Sequence, residues 1–279
     1  MKRIQLSLCV IGLLVLVAAP AAAQYENSPQ RILLLPECIW AAATGGGTWV
    51  TELQITAYSP STTVGVVYHC ATAAPRVISN IWTSSSGYYQ SVKFSNILST
   101  LQSLDPSFTY YGTVGSLEIF SQDVSHTIQA QARTVNSNYG KTFQALAEVD
   151  GNSANVNRQM MIMNLTQNAT YRTFVGCLNA TSGTGGSMTV QFILVDGNNN
   201  PVGSSFSKTF GQGQFMSFNP FVEAGAGTGP FDDCWLWINP TSSANAAAGS
   251  WGLFSFGSSA NNITNDTCSI LAVHAWIFF

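Results

Sequence analysis

Charge is what this sequence most lacks. Asp, Glu, Lys and Arg together make 8% of its 279 residues, against about a quarter in an average soluble domain. The few basic residues form no patch, so nucleic acid is not an expected partner. Histidine is scarce too: His69, His126 and His274 are widely separated, and no pair has metal-ligand spacing. The cysteines contain no C-x-x-C, which argues against a zinc ribbon or a thioredoxin-like site. No nucleophile elbow is present. The segment Gly183–Ser187 is a glycine-rich loop, and Gly203-Ser204-Ser205 lacks a second glycine. The glycine clusters at Gly45–Gly47 and Gly225–Gly229 do not open helices, so they are not phosphate cradles. Acidic residues are scattered, and nothing selects a carboxylate pair of the kind glycoside hydrolysis needs. No cofactor is expected.

The N-terminus carries the plainest signal. Lys2 and Arg3 precede an apolar run from Ile11 to Ala19, Pro20 ends it, and Ala21-Ala22-Ala23 supplies a small-residue cleavage site. The run is shorter than the roughly 20 residues a bilayer span requires. Residues 1–23 are therefore expected to be a signal peptide cleaved near Ala23, leaving a chain with no transmembrane helix. Secretion to the periplasm or the extracellular space follows. Five cysteines remain after cleavage, and export favours disulfides. The favoured pairs are Cys38–Cys70 and Cys234–Cys268, with Cys177 left over or displacing a partner. The polar surface must be built from Ser, Thr, Asn and Gln. With so little charge, strand edges are weakly protected against association with other chains.

Beyond the leader the chain is patterned as β structure, twice over. Similar units open near Trp49 and Tyr171, about 120 residues apart, a period that signals duplicated folding units. In Thr48–Tyr58, Trp49, Thr51, Leu53, Ile55 and Ala57 share one face, and the residues between them share the other. Ser59-Pro60-Ser61 is a turn, and Thr63–Cys70 is the returning strand. Strands are expected near Val77–Trp82, Tyr88–Phe94, Ser116–Phe120, His126–Val135 and Lys141–Glu148, with a helical turn in Asn96–Leu104. In the second unit, Tyr171–Leu178, Ser187–Asp196, Val202–Phe210, Cys234–Ile238, Trp251–Phe256 and Ser269–Phe278 read as strands. Gln214–Ala224 matches Lys93–Leu104, and Cys234–Ile238 matches Ser116–Phe120.

Six or seven strands per unit with regular turns is the pattern of a sandwich. The expected fold is all-β: two tandem antiparallel β-sandwich domains, immunoglobulin-like or jelly-roll-like. Residues 24–47 form an N-terminal segment with one apolar strand, in which Pro36 implies an edge or a bulge. Residues 48–150 form the first domain and 158–279 the second, with the turn-rich 150–157 between them. The phrase FILVDGNNNPVGSSFSKTFGQGQ resembles tandem β-sandwich repeats of secreted bacterial proteins. The likeness lies in Asp196-Gly197-Asn198, Gly213-Gln214 and Phe218-Asn219. It covers the second unit, and it implies a fold rather than an activity.

Two features are candidates for ligand chemistry. Asp196-x-Asn198-x-Asn200 has the spacing that opens a calcium loop, but position twelve is Ser207 rather than Glu. A hairpin turn explains the same residues. Trp82, Tyr88 and Tyr110 lie near turns among Ser and Gly, where rings suit sugar stacking or protein contact. The function expected is that of a secreted, non-enzymatic structural, adhesion or assembly protein, self-associating or meeting surface proteins through strand edges. One alternative is a carbohydrate-binding module or carbohydrate-active enzyme with glycan partners. Another is an outer-membrane β-barrel, suggested by the terminal Phe279 on a strand with Leu271, Val273, Ala275 and Ile277.

Overall fold

A computed structural model describes residues 32–43, 46–138, 140–144, 147–148, 159–180, 186–227, 229–243, 252–262, 267–271 and 273–274. The expected leader at 1–23, the connection at 150–157 and the chain end from 275 lie outside the described residues.

The first half contains β1 (Ile32–Ala42), β2 (Thr48–Ala57), β3 (Thr63–Cys70), β4 (Arg76–Thr83), β5 (Gln90–Phe94), α1 (Ile97–Leu104), β6 (Thr113–Ser121), β7 (Ile128–Asn136), β8 (Gly140–Gln144) and β9 (Ala147–Glu148). The strands form one 9-stranded sheet in the order β4-β3-β6-β1-β2-β7-β8, with β5 beside β2 and β9 beside β1. The sheet folds over itself at β1, which pairs with β6 along most of its length and with β2 only from Trp40 to Ala42. The expected alternation of β2 holds: Thr51, Leu53, Ile55 and Ala57 are buried, while Gln54 is exposed. Leu53 and Ile55 meet Val64, Val66 and Tyr68 of β3, Leu117 and Ile119 of β6, and Ile97, Leu98 and Leu101 of α1 in one core. Full burial of each Leu or Ile stabilises by about 1.5–3 kcal/mol. Helix α1 forms where the sequence places it, because Asn96 caps it by accepting from the Ser99 backbone N–H at 3.2 Å.

The apolar N-terminal segment is not an appendage. Strand β1 lies inside the first sheet, and Pro36 falls in a bulge between Leu35 and Cys38. The bulge frees backbone groups, and side chains take them up. Ser116 Oγ donates to the Pro36 carbonyl at 2.6 Å, and Thr51 Oγ1 accepts from the Ile39 N–H at 2.8 Å.

The second half contains β10 (Met160–Gln167), β11 (Tyr171–Asn179), β12 (Met188–Val195), β13 (Phe206–Phe210), β14 (Phe215–Phe218), α2 (Pro220–Glu223), β15 (Phe231–Ser243), β16 (Leu253–Asn261), β17 (Thr267–Leu271) and β18 (Val273–His274). They form a 5-stranded sheet, β13-β12-β15-β10-β18, and a 4-stranded sheet, β14-β11-β16-β17. Between the two sheets lie Ile162, Val175, Val190, Phe192, Leu236 and Ile238, with Phe221 of α2. Each pairing in the second half has a counterpart in the first: β13-β12-β15-β10 follows β4-β3-β6-β1, and β14-β11-β16-β17 follows β5-β2-β7-β8.

The fold is therefore an all-β sandwich built from antiparallel sheets. Among the described residues the strands form three sheets rather than one closed cylinder. Their fully buried apolar residues face interior cores. A third cluster joins the halves. Leu34, outward-facing on β1, packs with Leu178, Phe215, Phe254 and Phe256 of the second half, with Ile32 and Ala71 at its margin. Beside it, His69 Nδ1 lies 3.0 Å from the Gly213 carbonyl oxygen, which can only accept, so Nδ1 carries a proton. Nε2 of the same ring lies 3.5 Å from Glu118.

Candidate functional site

The three rings singled out in the sequence have three different fates. Tyr110 is fully buried in the first core, so it is not a surface ring. Its ring meets Phe108 edge-on at 4.8 Å, its hydroxyl donates to Asp105 at 3.3 Å, and its N–H donates to Gln102. A buried tyrosine is tolerated because that hydroxyl has a partner. Burial, then the neighbouring Asp105 carboxylate, pushes its hydroxyl up to about 12. Trp82, on β4, is half-buried and leans against the same core. Tyr88 alone stands well exposed, at 67%.

Tyr88 is not in a strand: β5 begins at Gln90, so Tyr88 and Tyr89 belong to the β4–β5 connection and both project outward. Tyr89, 71% exposed, packs edge-on against Tyr58 at 5.5 Å and lies 6.5 Å from Tyr88. Its φ of 54° is left-handed, an uncommon and costly state for a bulky residue. Three connections meet at this end of the first sheet. Ser61 N–H donates to the Ser85 carbonyl, Ser84 N–H to that of Thr62, and Tyr58 N–H to that of Thr127. Tyr58 hydroxyl donates to Gln129 at 2.7 Å, and Ser85 to Gln90 at 2.9 Å. The result is a projecting tyrosine cluster ringed by amides and hydroxyls on a hydrogen-bonded base.

The calcium candidate is a closed turn. Asp196 Oδ1 accepts the N–H groups of Asn198 and Asn200, each at 2.8 Å, while the Asn200 side-chain amide donates to Oδ2 at 3.2 Å. These donors hold the carboxyl below its ordinary range, the Asn200 backbone N–H most of all. Donors occupy both oxygens that a cation would need. Among the described residues, no group of three or more His, Cys, Asp or Glu is placed to hold a metal ion.

The expected disulfide Cys38–Cys70 is absent, and the register explains why. Both cysteines pair with Gly115 of β6, one from each side. They stand two strand spacings apart, about 9.5 Å, where a bridge needs about 4.4–6.8 Å. The Tyr68 ring lies over Gly115 between them. Cys234 is likewise a free thiol, on β15 of the 5-stranded sheet. Its expected partner Cys268 is on β17 of the other sheet, with its side chain outside those described. Cys177 is buried and accepts from Ser255 at 3.2 Å; burial pushes its thiol up to about 12, which makes it a poor nucleophile.

The charged groups that are present hold structure together. Glu52 pairs with Arg133 and with Lys93 at 3.6 Å across β7-β2-β5. Arg76 on β4 reaches Asp105 at 2.6 Å and lies over the Phe108 ring. Lys208 on β13 reaches Glu223 at 2.8 Å and lies over Phe218. Both halves thus tie an outer strand to the end of the helix with a cation stacked on a ring.

One surface escaped the sequence reading. In Cys234–Ile238, Cys234, Leu236 and Ile238 are buried, which turns Trp235 and Trp237 together onto the outer face of the 5-stranded sheet. Their rings are 5.4 Å apart at 51°. The signal was there, since Trp-x-Trp in an alternating strand places both rings on one side.

No family model matches the chain, and no curated protein does. Among solved structures, it is similar to the VP2 subviral particle of infectious bursal disease virus, with 10% identity over 86% of this chain and 71% of that one and a TM-score of 0.23. Derived T=1 particles of the same virus give 9% identity, 87% and 65% coverage, and a TM-score of 0.22. Likenesses this slight carry no argument about fold or function.

Proposed function

We propose that this is a secreted, non-enzymatic protein of the cell surface or extracellular space, made of two tandem β-sandwich domains of one topology, that works in adhesion or assembly. The leader-like N-terminus supports export. The matching strand orders support duplication, in keeping with the resemblance to secreted bacterial sandwich repeats. The observation that carries the reading is the tyrosine cluster. Tyr88 and Tyr89 are about two-thirds exposed, and Tyr89 holds a left-handed backbone that no turn geometry requires of a tyrosine. Strain kept at an exposed aromatic loop on a rigid base points to contact with a partner.

The test uses microspheres coated with the mature chain and washed over cells of the producing organism, with albumin-coated spheres as reference. Wild-type spheres should be retained about tenfold or more above the reference, and Tyr88→Ser/Tyr89→Ser should remove most of that excess, as loss of a hot spot does. Retention equal to albumin, or a chain found wholly in the cytoplasm, refutes the reading.

A further inference from the structure

We propose that the outer face of the β13-β12-β15-β10 sheet is a binding surface for single chains of a neutral polysaccharide. It is distinct from the tyrosine cluster and goes beyond the adhesive role assigned to that cluster. The register defines the face. Trp237 pairs with Ile193 on one side and Met161 on the other, Trp235 pairs with Val195, and Asn239 pairs with Gln191. Trp235, Trp237, Ile193 and Met161 are half-buried, whereas their strand neighbours Leu236, Ile238, Leu194 and Ile162 are at most 1% exposed. The first set therefore lies on the side away from the core. The described residues of the first half pack on the other sheet of this sandwich, through Leu178, Phe215 and Phe256, rather than on this face.

The chemistry of the face selects its ligand. Outward positions 189, 191, 193, 207, 209, 235, 237, 239 and 161 carry no charge, and the exposed charges at the head of β15, Asp232 and Asp233, are acidic. That removes the attraction an anionic polymer, a charged lipid surface or an acidic partner would need. The apolar strip, bordered by the amides of Gln191 and Asn239 and the hydroxyls of Thr189 and Thr209, matches the two sides of a pyranose. Its C–H face stacks on an indole, and its hydroxyls exchange hydrogen bonds with amides. Trp235 is fixed in advance, because its Nε1 donates to the Asp196 carbonyl at 3.2 Å. Ordering it on binding therefore costs little. The two ring planes stand at 51° with centroids 5.4 Å apart, so they present two facets rather than one flat platform. Such a pair suits successive units of one twisting chain and cannot lie flat on a crystalline surface.

The test is affinity electrophoresis of the mature chain in gels containing galactomannan, hydroxyethyl cellulose or dextran, with the anionic alginate for comparison. At least one neutral polymer should retard the chain, equally at low salt and in about 0.5 M NaCl, since no counterions are released. Trp237→Ala should weaken that retardation about tenfold, the loss expected of a central aromatic anchor. Trp237→Tyr, which keeps a ring, should retain most of it, and Tyr88→Ser should leave it unchanged. Unfolding curves of each variant separate lost binding from lost folding. Retardation by none of the neutral polymers, by alginate alone, or with equal sensitivity to Tyr88→Ser overturns the assignment. So does a dimer of the wild type that Trp237→Ala converts to monomer in sedimentation, which would give the face to a second copy of the chain.

Discussion

Leu34 and Leu35 are neighbours with the same chemistry and nearly the same burial, 2% and 0% exposed, yet they belong to different clusters. Leu35 points into the first core, and Leu34 joins the cluster that spans the two halves. Truncating either to alanine removes three carbons, about 2.4 kcal/mol of transfer free energy at roughly 0.8 per methylene. The residual cavity raises the cost to about 3–4 kcal/mol. For a unit of this size that corresponds to a fall on the order of 10 °C in melting temperature. The two variants should spend the same loss differently. In scanning calorimetry, Leu35→Ala should lower the melting of the first sandwich. Leu34→Ala should uncouple the halves, so that a joint endotherm broadens or separates into two while each core keeps its own stability. If both variants displace one unsplit endotherm by the same amount, the bridging cluster is not a separable joint, and the assignment of Leu34 to it is wrong.

Three further outcomes are expected. The thiols of Cys38 and Cys177 should resist Ellman's reagent in the native chain at pH 8 and react on denaturation, because burial raises both, Cys177 to about 12; a reductant should leave the melting curve unchanged, and a drop would reveal a bridge. Gly115→Ala should destabilise by about 3 kcal/mol in urea titrations, since a Cβ there collides with the His69 carbonyl oxygen and lies 2.9 Å from Tyr68 Cε2, whereas Gly211→Ala, with 3.5 Å to its nearest atom, should change little. Asp196 is held below the ordinary carboxylate range in the folded chain, so its contribution is full above the unfolded pKa of about 4 and disappears as pH falls through the lower folded value; the urea midpoints of wild type and Asp196→Asn should therefore converge on acidification, and a constant gap would refute the turn's role.

Much of the fold was legible because period-2 alternation is a local signal. Thr48–Tyr58 became β2 with the expected inward face, Asn96–Leu104 became a capped helix, and Ser187–Phe210 became the β12–β13 hairpin around the Asp196 turn. What was not legible depends on register and on partners distant in sequence. Cys38 and Cys70 look like a pair because both fall in the first unit; only the strand order reveals Gly115 between them. Tyr110 looked like a surface ring because a turn lies nearby, and the Asp105 carboxylate that lets it be buried cannot be inferred from the sequence. The Tyr88-Tyr89 pair was read as strand, which would have hidden one ring; the strand starts two residues after Tyr88, and both rings face outward. Trp235 and Trp237 fall on a strand as the alternation implies, and the burial of Cys234, Leu236 and Ile238 decides that both rings face outward.

The place of β1 in the sheet has a consequence for biosynthesis. Its first residue, Ile32, pairs with Phe120, and Leu33 pairs with Glu148 as well. Of the described strands, the earliest to emerge from the ribosome is thus among the last whose backbone can be satisfied. A nascent chain has no complete first sheet until nearly all of that half has been made. Under the export proposed above, this delay would keep the chain pliable on the near side of a translocation pore and defer its closure to the far side.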